Sequence, residues 1–169
     1  MGRTHCLVPA ALAAWLFGPD PTILLISAGA GLLPDIDEPQ STIGYRLFLL
    51  AKGFKGLVGH RTYSHSLVGI VTAACLAVIF DLPWIWIEAG LIGWVSHLVL
   101  DALSGGVPLW WPLYATNRER LVLARWKPFG FADHLILVVS GVTFGLAAIE
   151  GNWLGWWIEQ LQRDISRTR

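Results

Sequence analysis

The sequence predicts an all-α fold: a polytopic membrane helix bundle of four to five short transmembrane helices with cytoplasmic loops, one integral membrane domain over residues 1–169. Three observations predict it. Of the 169 residues 54% are hydrophobic and 14% charged, a balance displaced from that of soluble domains toward a lipid solvent. The apolar residues gather into five segments, at about 6–17, 22–33, 66–80, 85–103 and 135–149. The polar breaks between them alternate in kind. Gly18 to Pro21 and Asp81 to Trp84 are tight turns without a basic residue, whereas 34–65 carries Arg46, Lys52, Lys55 and Arg61, and 104–134 carries Arg118, Arg120, Arg125 and Lys127.

Spanning lipid takes about 20 apolar residues. The first two segments fall short of that and leave a half-inserted hairpin as an alternative to two spans. Arg3 ahead of the first segment resembles the start of a signal peptide, but Gly18-Pro19-Asp20-Pro21 follows it instead of a small-residue cleavage site, so the segment is expected to stay. Between residues 45 and 58, Leu47, Leu50, Ala51, Phe54 and Leu57 alternate with Arg46, Lys52 and Lys55, the pattern of an amphipathic helix on the membrane surface. Several of the ten Trp lie near the ends of apolar runs, at headgroup level, and Trp153, Trp156 and Trp157 suit an interfacial helix in the tail. Cys6 and Cys75 sit inside apolar runs without paired spacing and read as reduced thiols.

The excess of Lys and Arg in the two long breaks makes them cytoplasmic, with the Arg3 terminus. A net charge of zero gives no bulk attraction to nucleic acid, and no direct nucleic-acid binding is expected.

Under that topology the chemistry-bearing residues fall at one membrane face. His5 precedes the first segment, Asp35 and Asp37 follow the second, and His60 and His65 lead into the third. His97 and Asp101 end the fourth, and Asp133-His134 opens the fifth. Neither short turn carries a histidine. His97 and Asp101 are four apart on a helix, so both project from one face and are able to grip one ion or one another. Asp35 and Asp37 are held between Pro34 and Pro39, where two close carboxylates repel unless a cation separates them; turn capping is the plain alternative. His60 and His65 are five apart, about 140° on a continuous helix, and converge only if a turn intervenes. Asp133 also suits a helix cap. Imidazole and carboxylate placed together suit zinc, manganese or iron.

These residues resemble the YdjM-like family of bacterial inner-membrane, metal-dependent hydrolases. The marks are Thr4-His5, Leu33-Pro34-Asp35-Ile36-Asp37 with Pro39 and Ser41, and His60-Arg61 followed by Ser64-His65-Ser66. Ser96-His97 with Asp101, and Gly106-Val107 leading to Trp111-Pro112, complete them. The resemblance covers the chain from His5 to about Pro112; Ser64 and Ser104 stand where the family pattern usually has Thr. The His97-to-Asp101 spacing is also distantly similar to the ligand spacing of zinc-dependent phospholipases C. The resemblance implies a hydrolase in the bacterial inner (cytoplasmic) membrane, multi-pass, with its metal site facing the cytoplasm.

In that reading His5, Asp35, Asp37, His60, His65, His97 and Asp101 bind one to three divalent metal ions, zinc first and manganese or iron as alternatives. Asp37 is the general base, and Arg61 grips a substrate phosphate in a two-pronged fork. Ser64, Ser66 and Ser96 orient the imidazoles from behind. The expected partners are membrane lipid and a phospholipid or phosphoester substrate. Two other classes remain open at this point: a non-catalytic membrane scaffold binding a cytoplasmic protein, and an ion or metal transporter, whose site is expected nearer the bilayer midplane.

Overall fold

The computed structural model describes residues 2–37, 41, 62–113, 120–127, 130–151 and 153–167. The surface helix expected at 45–58, with His60 and Arg61, lies outside the described residues, as does the side chain of Asp37. The fold is all-α. The described helices are α1 (Gly2–Phe17), α2 (Pro21–Ala30), α3 (Leu67–Ile79), α4 (Trp84–Ser104), α5 (Phe131–Glu150) and α6 (Trp153–Arg167), with a 3-10 turn at Leu33–Asp37 after α2.

Each start and stop has a local cause. Asp20 caps α2, its carboxylate accepting from the Thr22 and Ile23 amides, and Pro21 at the first helical position supplies a fixed φ where no N–H is needed. Ser66 caps α3 by accepting from the Gly69 amide. The carbonyls at the end of α4 are taken up by the segment that returns from the next loop: Leu123 and Trp126 donate to Ala102 and Leu103, and Val107 pairs with Leu121 in a single antiparallel bridge. Leu67 N–H donates to Leu109 at 2.9 Å, which ties that loop to the start of α3.

Helix bounds differ from the apolar segments at the ends. α1 starts at Gly2, so His5 lies inside its first turns instead of ahead of it. α5 starts at Phe131 behind Gly130, and Asp133 is not its cap: it accepts from the Thr4 hydroxyl at 2.8 Å, joining α5 to α1. α2 ends at Ala30 and gives way to the turn that carries Asp35.

α1 packs against α2, α4 and α5, α2 packs against α4, and α3 and α6 lean on α4 and α5 respectively. Two close approaches need glycine. A Cβ on Gly93 would meet the Ser27 carbonyl and, at 2.8 Å, Ala30; a Cβ on Gly31 would meet the His5 carbonyl. That carbonyl is also the one Pro9, lacking an N–H, cannot engage within α1. Small residues thus let α1, α2 and α4 meet backbone to backbone.

By length and composition, α4 and α5 are able to cross a membrane. At 21 and 20 residues they measure about 32 and 30 Å, against a hydrocarbon core of about 30 Å. α2 and α3 are apolar but shorter, with 10 and 13 residues. Half of the apolar window of α4 is buried within the fold, against 11% of that of α5. α5 instead turns Leu135, Val138, Val139, Val142, Leu146 and Ile149 outward.

Candidate metal centre

Three of the four described histidines come from separate stretches and meet at one point; the fourth, His134 on α5, is exposed, with its Nδ1 2.9 Å from the Gly130 carbonyl oxygen. His5 is presented by α1, His65 by the turn that ends at the Ser66 cap, and His97 with Asp101 by the last turns of α4. Asp35 arrives on the 3-10 turn. His97 lies thirteen residues beyond Trp84, about 20 Å along α4. The cluster is therefore at the end of the bundle opposite the short turns at Gly18 and Asp81.

His5, His65 and His97 are at most 1% exposed and Asp101 is 5% exposed, so water is largely absent as a partner. His97 Nδ1 lies 2.7 Å from the Gly31 carbonyl oxygen. A carbonyl only accepts, so Nδ1 carries the proton, and in the neutral ring Nε2 keeps its lone pair. That lone pair faces His65 Nε2 at 3.3 Å, Asp101 Oδ2 at 3.7 Å and Asp35 Oδ1 at 3.8 Å. His65 Nε2 is in turn 3.4 Å from Asp101 Oδ2 and 3.8 Å from Asp35 Oδ1. On its other side His65 Nδ1 meets the Ser64 hydroxyl at 2.9 Å.

Two imidazole nitrogens and two carboxylate oxygens thus point at one buried spot, where the His97 Nε2 lone pair and the carboxylate oxygens repel unless a proton on His65 Nε2 or a cation lies between them. Ligand atoms of Asp35, His65, His97 and Asp101 all lie within 4.8 Å of one another. Four ligands about 2.0–2.2 Å from one ion in a tetrahedron stand about 3.3–3.6 Å apart, close to most of the spacings here. The cluster is able to hold a metal ion, and its donor set is of the borderline nitrogen-and-oxygen kind, without thiolate.

The remaining site candidates are placed as follows. His5 Nε2 lies 3.3 Å from Asp101 Oδ1, and its ring stacks on His97 with centroids 4.1 Å apart. Asp37 closes the turn that carries Asp35, its carboxylate outside the described residues along with His60 and Arg61. Of the three serines expected behind the imidazoles, Ser64 touches one. Ser66 donates to the Tyr63 carbonyl and caps α3, and Ser96 bonds back to the Gly93 carbonyl of its own helix. Both are hydroxyls satisfied by nearby backbone, the usual fate of serine at a helix start or inside a helix.

Three further residues shape the site without signalling it in sequence as ligands. Gly31 supplies the carbonyl that orients His97, and Gly93 sets how close α4 comes to it. The Trp94 indole donates to the Ser64 carbonyl at 2.9 Å, pinning the turn that presents His65. The small residues Gly29, Gly31, Gly90 and Gly93 in apolar helices were the available hint of close packing.

A family model described as YdjM inner membrane protein matches residues 1–160. The chain belongs to the YdjM inner membrane protein family. It is 37% identical over 148 residues to the uncharacterized protein YvsG of Bacillus subtilis (strain 168), covering 84% of this chain and 89% of that protein. It is 38% identical over 89 residues to the inner membrane protein YdjM of Escherichia coli (strain K12), covering 48% of this chain and 44% of that protein, and the YdjM protein of Shigella flexneri matches equally. The chain thus spans less than half the length of those two YdjM proteins. No solved structure matches it.

Proposed function

We propose that this YdjM-family chain is a multi-pass inner-membrane hydrolase that depends on a divalent metal ion, faces its metal site to the cytoplasm, and cleaves a phosphoester or lipid-like substrate. The observation that carries the reading is the buried convergence of His65 and His97 nitrogens with Asp35 and Asp101 oxygens on one point. Two nitrogens with two oxygens suit zinc first, then manganese or iron. A divalent cation there supplies Lewis-acid chemistry: it polarises an ester oxygen and makes water nucleophilic at neutral pH.

The chain's own residues supply the rest. Gly31 and Ser64 hold the two imidazoles with their Nε2 atoms turned inward, so that little reorganisation accompanies loading. Asp37 is assigned as the base that takes the proton of the attacking water. Arg61 is assigned to the phosphate, since a guanidinium matches two phosphate oxygens at once.

Support for a lipid-like substrate comes from apolar surfaces that run along the helices of the bundle. A cleft of about 230 Å3 between α2, α3 and α4 is lined by Leu33, Ala74, Trp86 and Trp94 among others, and a groove of about 420 Å3 runs between α1 and α4. Trp94 links the cleft to the Ser64 carbonyl beside His65. In this reading α4 and α5 span the bilayer, the shorter apolar helices complete the embedded bundle, and α6 lies at the interface.

The test is metal content together with hydrolysis. Full-length protein purified in detergent without chelator should carry stoichiometric metal, and His97→Ala and Asp101→Ala should each lower it. Metal-loaded protein should turn over at least one member of a panel of phospholipids and soluble phosphoesters. A wild type that binds metal yet leaves every phosphoester, carboxylester and amide untouched would sink the hydrolase reading.

A further inference from the structure

We infer that the centre is built for two cations, with Asp101 bridging them and His5 serving the second. The inference rests on the metal reading above and specifies its nuclearity. The two oxygens of Asp101 face different imidazoles: Oδ2 lies 3.4 Å from His65 Nε2 and 3.7 Å from His97 Nε2, while Oδ1 lies 3.3 Å from His5 Nε2.

The arrangement of the rings points the same way. His5 and His97 stack with centroids 4.1 Å apart and planes 27° from parallel, and each turns Nε2 toward its own oxygen of Asp101. Paired ions in two-metal hydrolytic sites stand about 3.5–4 Å apart, a separation that one carboxylate spans by giving an oxygen to each.

His5 also lacks the second anchor that its neighbours have. His97 Nδ1 is engaged by the Gly31 carbonyl and His65 Nδ1 by Ser64, but His5 Nδ1 is buried with no hydrogen-bond partner among the described residues. Without a cation the Asp101 oxygen, which only accepts, holds the proton on His5 Nε2; ligation through Nε2 moves that proton to Nδ1. With His5 and Asp101 as its described protein ligands, the second ion binds more weakly than the first and keeps open positions, as catalytic ions do.

The experiment is a manganese(II) titration of chelator-stripped, full-length protein in detergent, reading ions bound per chain and the low-temperature electron paramagnetic resonance spectrum. Wild type should take up two ions in two steps, the second weaker, and at saturation show the signal of an exchange-coupled pair. His5→Ala, and His5→Phe as a variant that keeps the stacked ring without its nitrogens, should stop at one ion with an isolated-ion signal. Saturation of wild type at one ion overturns the inference and leaves the hydrolase proposal standing, as does uptake of two ions without coupling or a coupled pair that survives in both His5 variants. Uptake of neither manganese nor, in a parallel titration, zinc overturns both.

Discussion

The Gly31 carbonyl oxygen lies 2.7 Å from His97 Nδ1, so a backbone atom on the turn after α2 decides which nitrogen of a histidine on α4 faces the centre. The same glycine has no room for a side chain, because a Cβ there would meet the His5 carbonyl and, at 2.8 Å, Pro9. Gly31→Ala should therefore force α1 and α2 apart. Overpacking of this kind costs about 1–3 kcal/mol, and here it displaces His5 and the acceptor of His97 together. A lowered melting temperature in detergent and weakened metal binding are expected. Gly29→Ala is the control, since nothing lies within 4 Å of its added Cβ; it should match wild type in both measurements.

The two serines that flank His65 should separate cleanly. Ser64→Ala removes the hydroxyl on His65 Nδ1, a loss beyond the ligand itself that typically weakens metal binding by about 10–100-fold. Ser66→Ala removes the cap of α3 and should cost about 1 kcal/mol of stability, with metal affinity of the folded protein little changed. Chelator competition and thermal melts on the two variants check this; an equal loss of affinity in both would remove the assigned role of Ser64.

Much of this centre was legible in sequence because helical spacing alone puts His97 and Asp101 on one face, and the alternation of basic and non-basic breaks gathers the other ligands at the same end. Asp35 was legible as a turn residue from the prolines around it. The tautomer of His97, by contrast, depends on a main-chain carbonyl sixty-six residues away, and main-chain acceptors have no letter in a sequence. Ser66 and Ser96 look identical to Ser64 as letters; only the fold shows that their hydroxyls are taken by nearby backbone. Helix ends were the least legible part. Asp133 reads as a cap, yet its partner is Thr4 on another helix, a long-range contact that no local pattern encodes.

The proposed orientation in the membrane rests on eight basic residues in the two long breaks, four in each, against none in the short turns. With Cys6 and Cys75 replaced by Ala, a cysteine at Asp20 or Asp81 should label with an impermeant reagent from outside, and one at Lys52 only after permeabilisation. Asp20 and Asp81 follow α1 and α3 at the end of the bundle away from the histidines, so the same experiment fixes the side of the metal centre. Labelling of Lys52 in intact cells would turn the centre to the opposite face.

The last prediction separates loading of the metal from turnover, and it rests on the two residues assigned to the reaction instead of to the cage. Arg61→Lys keeps the charge but replaces a planar two-pronged donor by a point charge, so on a phosphoester the rate should fall while metal content holds. Loss of a charge-assisted contact of about 2 kcal/mol corresponds to about thirtyfold in kcat/KM. Asp37→Asn should lower the rate further, because an amide cannot take up the proton of the attacking water. Metal content decides what kind of loss that is. If Asp37→Asn retains full metal and is inactive, its carboxylate acts on the proton; if metal falls in step with activity, Asp37 belongs to the cage with Asp35. Wild-type rates in both variants on the best substrate would remove Arg61 and Asp37 from the reaction altogether.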